Sequence, residues 1–142
     1  MSRFSAGVRV LGAVFCATVS AADARAQRTD TTPPAPAARP SLYTAAQAAR
    51  GEQVYINVCV ECHEKLEYTG PDFRVKWNGR AAFDLVDLLR TTMPDSDPGI
   101  LPAQDYVDVV AYMMKLNGVL VGKTALPLDD AALKTIKIEI PK

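Results

Sequence analysis

Cys59-Val60-Glu61-Cys62-His63 is the segment of this chain whose residue types and spacing dictate a chemistry. A C-x-x-C-H run is an attachment site for a c-type haem. The two thiols add across the vinyl groups of the macrocycle as thioethers, and the adjacent imidazole reaches the iron through Nε2. The iron then needs a sixth ligand, for which sulfur and nitrogen donors are the candidates. His63 is the only histidine, which turns the search to the four methionines. Met1 belongs to the leader, and Met113 and Met114 fall within a helical pattern. Met93 differs because Pro94 disfavours helix for the residue before it, so its side chain projects from a loop. It stands 30 residues beyond His63, enough chain to pass around to the far face of a macrocycle. Methionines generally fill cores, and Met113 stays open as the alternative ligand.

The thiols admit two other readings. C-x-x-C also serves thiol oxidoreductases, yet this chain lacks the strand–helix alternation of a thioredoxin-like fold. A structural disulfide would suit an exported protein, but cysteines so close in sequence close too small a loop to constrain the unfolded chain much.

Export is the first requirement of covalent haem attachment, and residues 1–26 read as a signal peptide. Arg3 and Arg9 form a basic start, Val10 to Ala22 an apolar stretch, and Ala24-Arg25-Ala26 a small-x-small cleavage site before Gln27. The apolar stretch has 13 residues, short of the about 20 that span a bilayer. Stable membrane insertion is therefore not expected after cleavage, and an uncleaved anchor is the alternative. Phe15 argues against a lipid-modified Cys16. Cleavage removes Cys16 and leaves Cys59 and Cys62 as the only thiols. The expected location is the periplasm.

Residues 27–40, rich in Pro and Ala without hydrophobic period, read as a disordered leader. A domain over residues 41–118 follows, then a C-terminal extension, residues 119–142, packed on or beside it. The chain after the signal carries 13 basic and 15 acidic residues, a net charge of −2 that argues against nucleic acid as a partner.

The elements that must position the motif are helices. Thr44 with Gln47 three residues later makes a capping-box pattern. Ala48, Gly51, Tyr55 and Val58 then share one face of a helix running into the motif. Gly51 in that interior costs about 1 kcal/mol relative to Ala, which a close helix crossing would justify. Residues 64–79 read as loop carrying Tyr68, Phe73 and Trp77. A second helix spans 81–92, with Phe83, Val86 and Leu89 inward, and stops at Met93-Pro94. Pro102 suits the first turn of the last helix, 103–116, whose stripe is Tyr106, Val109, Val110 and Met113, with Gly118 as its C-cap. Asp129 caps a short turn at 130–134, and Ile136, Ile138 and Ile140 alternate as one short strand. The class is all-α.

From Tyr43 to Leu116 the chain resembles class I cytochromes c. The residues that carry the resemblance are the motif at 59–63, Gly70-Pro71, Trp77, Met93-Pro94, and the segment Tyr106 to Tyr112. More narrowly, its C-terminal part is similar to small monohaem bacterial cytochromes, some of which serve quinoprotein dehydrogenases. The resemblance implies a cytochrome c fold of three to four helices around one covalently bound haem c. It implies that Cys59, Cys62 and His63 hold the cofactor and that Met93 is the second iron ligand. Gly51 and Tyr55 match the positions that cross the last helix, where Val109, Tyr112 and Met113 would meet them. Pro71 matches the residue whose carbonyl accepts a hydrogen bond from the proximal imidazole. Trp77 matches an aromatic near the haem propionates, with plain core packing as its alternative, and Phe73 and Tyr68 would wall the haem. Two departures stand out: Glu64 where glycine is frequent, and a short loop from His63 to Gly70 that leaves one haem edge less covered.

His/Met ligation saturates iron and favours the ferrous state, giving a relatively high potential. The expectation is a periplasmic one-electron carrier and not an enzyme, exchanging electrons with a dehydrogenase, an oxidase or another cytochrome. A haem protein with a labile sixth ligand, binding small ligands or acting like a peroxidase, is the alternative.

Overall fold

A computed structural model describes residues 41–142. The signal peptide and the Pro/Ala-rich leader expected from the sequence, with Cys16, lie outside the described residues. The element order is β1 (Tyr43–Thr44), α1 (Ala45–Val54), a π-helical turn (Tyr55–Cys59), a 3-10 turn (Lys65–Tyr68), α2 (Gly70–Trp77), α3 (Ala82–Thr92), α4 (Ala103–Leu116), β2 (Val121–Gly122) and α5 (Asp130–Thr135). The class is all-α, as expected, with five α-helices among the described residues in place of three or four.

Helix α1 begins where the sequence placed it, the Thr44 hydroxyl accepting from the Gln47 N–H at 3.2 Å. The other half of the capping box is not made. The Gln47 side chain turns inward, fully buried, and bonds both backbone groups of Leu126: its Nε2 donates to the carbonyl at 3.1 Å and its Oε1 accepts from the N–H at 2.8 Å.

Helices α1 and α4 cross at Gly51. A Cβ there would run into the carbonyl oxygen of Asp108, so only glycine allows the two backbones to meet. Helix α4 is enclosed on all sides, Tyr106 through Met114 being buried without a gap. That run includes Asp108, whose carboxylate takes two hydrogen bonds from Arg50 at 2.6 and 3.0 Å and one from Gln104 at 2.7 Å. At its end Gly118 adopts φ +72°, and the chain turns out of the helix with Val119 N–H bonded to Met114 O.

The stretch 64–79, read as loop, contains the 3-10 turn and α2. Pro71 sits in the first turn of α2, where a missing N–H leaves no bond unmade. Phe73 and Trp77, four residues apart, are its two buried residues. That i,i+4 pair is the helical signal the composition of the segment hid. In α3 the buried stripe is Ala82, Leu85 and Val86, while Phe83 and Leu89 are half-buried.

Residues 119–142 are part of the domain. Their Leu126, Leu133, Ile138 and Ile140 lie in the core, and β2 pairs in parallel with β1. Ile136 to Ile140 does not form a strand of a sheet. It runs along the α2–α3 turn instead, with Ile138 N–H bonded to Arg80 O at 2.9 Å, Ile138 O to Gly79 N–H at 2.8 Å, and Ile136 O to Ala82 N–H at 2.8 Å. Asp129 caps α5 by accepting from Ala132 N–H at 2.8 Å. No helix among the described residues is long and apolar enough to cross a membrane.

Two substitutions test this architecture by urea denaturation. Gly51→Ala should destabilise by about 1–3 kcal/mol through overpacking, although the same change in an unobstructed helix stabilises. Gln47→Leu should lose about 1–3 kcal/mol by stranding the Leu126 N–H and carbonyl, and should hasten proteolysis within 119–142.

Candidate haem site

The motif is wound tightly. The end of α1 widens into a π turn closed by Val60 N–H on Tyr55 O at 3.0 Å, a local geometry frequent at functional sites. The carbonyl of Cys59 then accepts from both Cys62 N–H at 3.2 Å and His63 N–H at 3.0 Å. Both thiols are free, Cys59 half-buried and Cys62 exposed, and burial pushes the Cys59 thiol up.

His63 is held at two points. Its backbone carbonyl accepts from the hydroxyl of buried Tyr55 at 2.9 Å. Its ring Nδ1 lies 3.0 Å from Oε2 of Glu67. The other carboxylate oxygen of Glu67 accepts from Glu64 N–H at 3.0 Å, and that bond, then His63, holds the Glu67 carboxyl below its ordinary value. The ring of Tyr68 stands edge-on to that of His63, 5.5 Å between centroids, and burial pushes its phenol up.

The motif opens on a cavity of about 340 Å³. Val58, Cys59, Cys62, His63 and Tyr68 line it from the motif side. Leu89 and Met93-Pro94, at and beyond the end of α3, line it too, as do Leu101 before α4 and Tyr106, Val109 and Met113 on α4. Met93 leaves the helix in extended conformation, φ −130° and ψ 148°. Its carbonyl accepts from the Tyr106 hydroxyl at 2.9 Å, and the same hydroxyl receives Leu101 N–H at 3.3 Å. One buried phenol thus ties both ends of the Met93–Leu101 loop.

Of the residues singled out by sequence, Cys59, Cys62, His63, Met93 and Tyr68 come together at this cavity, and so does the alternative Met113. Pro71 and Trp77 do not line it. Pro71 is exposed at the start of α2, and the His63 Nδ1 pairs with Glu67, which the 3-10 turn brings within reach from four residues away. Trp77 is buried against Phe73, ring centroids 6.3 Å apart, with the Arg80 guanidinium 4.6 Å from its ring centroid. Phe73 and Trp77 both lie in the buried core. Sequence reasoning missed Glu67 as the partner of His63, Tyr55 as its backbone anchor, and Tyr106 as the clamp on Met93. For Glu67 the i,i+4 spacing from His63 was the available signal.

The residues present fit a haem. An apolar-walled cavity with two thiols, an imidazole and thioether sulfurs at its wall is the donor set a covalently bound macrocycle uses. Tyr106→Phe should cost about 1–2 kcal/mol in urea unfolding and speed hydrogen exchange at the Leu101 amide, because the loop loses the hydroxyl at both of its ends.

Residues 46–113 match the family described as cytochrome c oxidase, cbb3-type, subunit III. Neither the curated proteins nor the solved structures contain a match to the chain. The matched segment runs from the start of α1 to Met113 on the cavity wall, and so takes in the motif and every element that lines the cavity. Over residues 46–113, just under half of its length, the chain is similar to a family of c-type cytochromes.

Proposed function

We propose that this protein is a periplasmic one-electron carrier with a single haem held by thioethers from Cys59 and Cys62, with His63 and Met93 as iron ligands. One observation carries the reading: Met93 and the Cys59–His63 motif, 30 residues apart in sequence, line the same cavity. Bound there, a haem supplies a one-electron iron couple. The chain's own residues do the rest. Cys59 and Cys62 retain the group in a small domain. Tyr55 fixes the His63 backbone and Glu67 its ring, which leaves Nε2 as the nitrogen for iron. Leu89, Leu101, Val109 and Met113 keep water from the ligand side. Met93 is favoured over Met113 because it lies outside the helix with its side chain half-buried, whereas Met113 is locked within α4 and packed in the core.

Two iron ligands from the protein leave no site for a substrate, which makes a carrier a better description than an enzyme. The raised Cys59 thiol weighs against a haem-free thiol oxidoreductase, whose attacking group is a thiolate. The matched family's description as an oxidase subunit supports exchange with a respiratory redox protein, an oxidase or a dehydrogenase.

The test is the optical spectrum of protein produced with a cytochrome c maturation system. Haem should survive acid–acetone extraction in the unmodified chain and be lost from the double variant Cys59→Ser, Cys62→Ser. The far-red charge-transfer band of methionine-bound ferric iron should disappear in Met93→Ala and persist in Met113→Ala. Covalent haem without that band, and rapid carbon monoxide binding, would move the function to ligand binding or peroxide chemistry.

A further inference from the structure

We propose that Glu67 is a positioning residue for His63 that lowers the reduction potential of the bound iron, the carboxylate doing here what a neutral backbone carbonyl was expected to do. The inference rests on the function proposed above and concerns how this chain tunes it. Three observations carry it. The Nδ1 of His63 lies 3.0 Å from Glu67 Oε2, so the ring has an anionic acceptor on the side away from Nε2. The carboxylate is itself oriented, its second oxygen accepting from Glu64 N–H at 3.0 Å while Glu67 N–H bonds back to Glu64. The residue expected to supply the accepting carbonyl for that contact, Pro71, is exposed in the first turn of α2 and stands outside the cavity wall.

The physical consequence follows from charge. A carboxylate accepting the Nδ1 proton shifts electron density onto the imidazole and raises its basicity at Nε2 more than an amide carbonyl does. A more basic ligand favours the ferric ion, so the couple moves to lower potential. Glu64 gains a purpose too. Where glycine would leave the turn slack, Glu64 closes a reciprocal capping box with Glu67, and that box aims the carboxylate at the ring. Glu67 is half-exposed, so water weakens the effect without removing it.

Potentiometric titration of the haem-loaded protein tests this, with Glu67→Gln and Glu67→Ala compared against Glu61→Gln. Glu61 is an exposed carboxylate inside the motif and measures what loss of a nearby charge does by itself. Both Glu67 variants should keep covalent haem and the far-red methionine band. At a fixed ambient potential their ferrous-to-ferric ratio should rise on the order of tenfold, about 59 mV for one electron. The hyperfine-shifted ring protons of ferric His63 should move in both variants and stay in place in Glu61→Gln. Unchanged potentials, or shifts no larger than that of Glu61→Gln, would overturn the proposal while leaving the carrier reading intact. Absence of covalent haem from the unmodified chain would overturn both.

Discussion

The contact on which the rest depends is the backbone-to-backbone crossing of α1 and α4 at Gly51. Because no side chain intervenes, α1 lies against Asp108 and Val109, and its continuation brings Val58, Cys59 and then His63 to the cavity. The opposite helix contributes Tyr106, Val109 and Met113 to the same cavity. The crossing therefore fixes the distance between the motif and the wall it faces. It also explains the buried Asp108. A carboxylate inside a helix interface is costly unless paired, and Arg50 and Gln104 supply three hydrogen bonds. Arg50 remains half-exposed, so this group specifies the relative rotation of the two helices more than it adds stability.

A domain of about a hundred residues has little core to spare, and a cavity sized for a cofactor removes part of it. The C-terminal segment offsets this. Leu126, Leu133, Ile138 and Ile140 are buried in the core, held beside α1 and the α2–α3 turn, and none of them lines the cavity. Two buried polar contacts tie the segment down: the Gln47 pair with Leu126, and the Tyr43 hydroxyl on Val119 O at 2.9 Å. The Arg90–Asp130 pair adds a link from α3 to α5 at the surface, of small worth. The segment is thus a support that contributes no residue to the cavity wall.

What was legible in the sequence was local or written in a spaced motif. The Thr44 cap, the span of α4, the stop of α3 at Met93, the Gly118 turn and the Asp129 cap all follow from a few neighbouring residues, and all are present. The C-x-x-C-H motif and Met93-Pro94 stood out by residue type and spacing, and both line one cavity. What was illegible depends on partners far along the chain. Gln47 looked like half of a capping box, yet its side chain satisfies a backbone 79 residues away, which no local pattern encodes. Ile136, Ile138 and Ile140 alternate as a strand does, but the neighbour that accepts their backbone is a turn and not another strand. Helix α2 was hidden by its polar majority, with only Phe73 and Trp77 to show a buried face. Glu67 was passed over because a family resemblance supplied Pro71 for the same task.

The two prospective ligands are controlled in the same way, through their backbones. A tyrosine hydroxyl from the end of α1 bonds the carbonyl of His63, and one from α4 bonds the carbonyl of Met93. Both tyrosines are buried and buried phenols usually find a partner inside the protein; each of these finds the carbonyl of a residue proposed as an iron ligand. Clamping the backbone leaves the side chains different degrees of freedom. Methionine, unbranched and flexible, adapts to the iron from a fixed root. Histidine cannot adapt in that way, since a rotated ring loses the alignment of Nε2, and it is the one given a second tether at Nδ1. For one-electron exchange the useful property is a ligand set that moves little between oxidation states. With His63 and Met93 as the proposed ligands, the two clamps would secure it by placing rigidity where the ligand is rigid and leaving play where the ligand is soft.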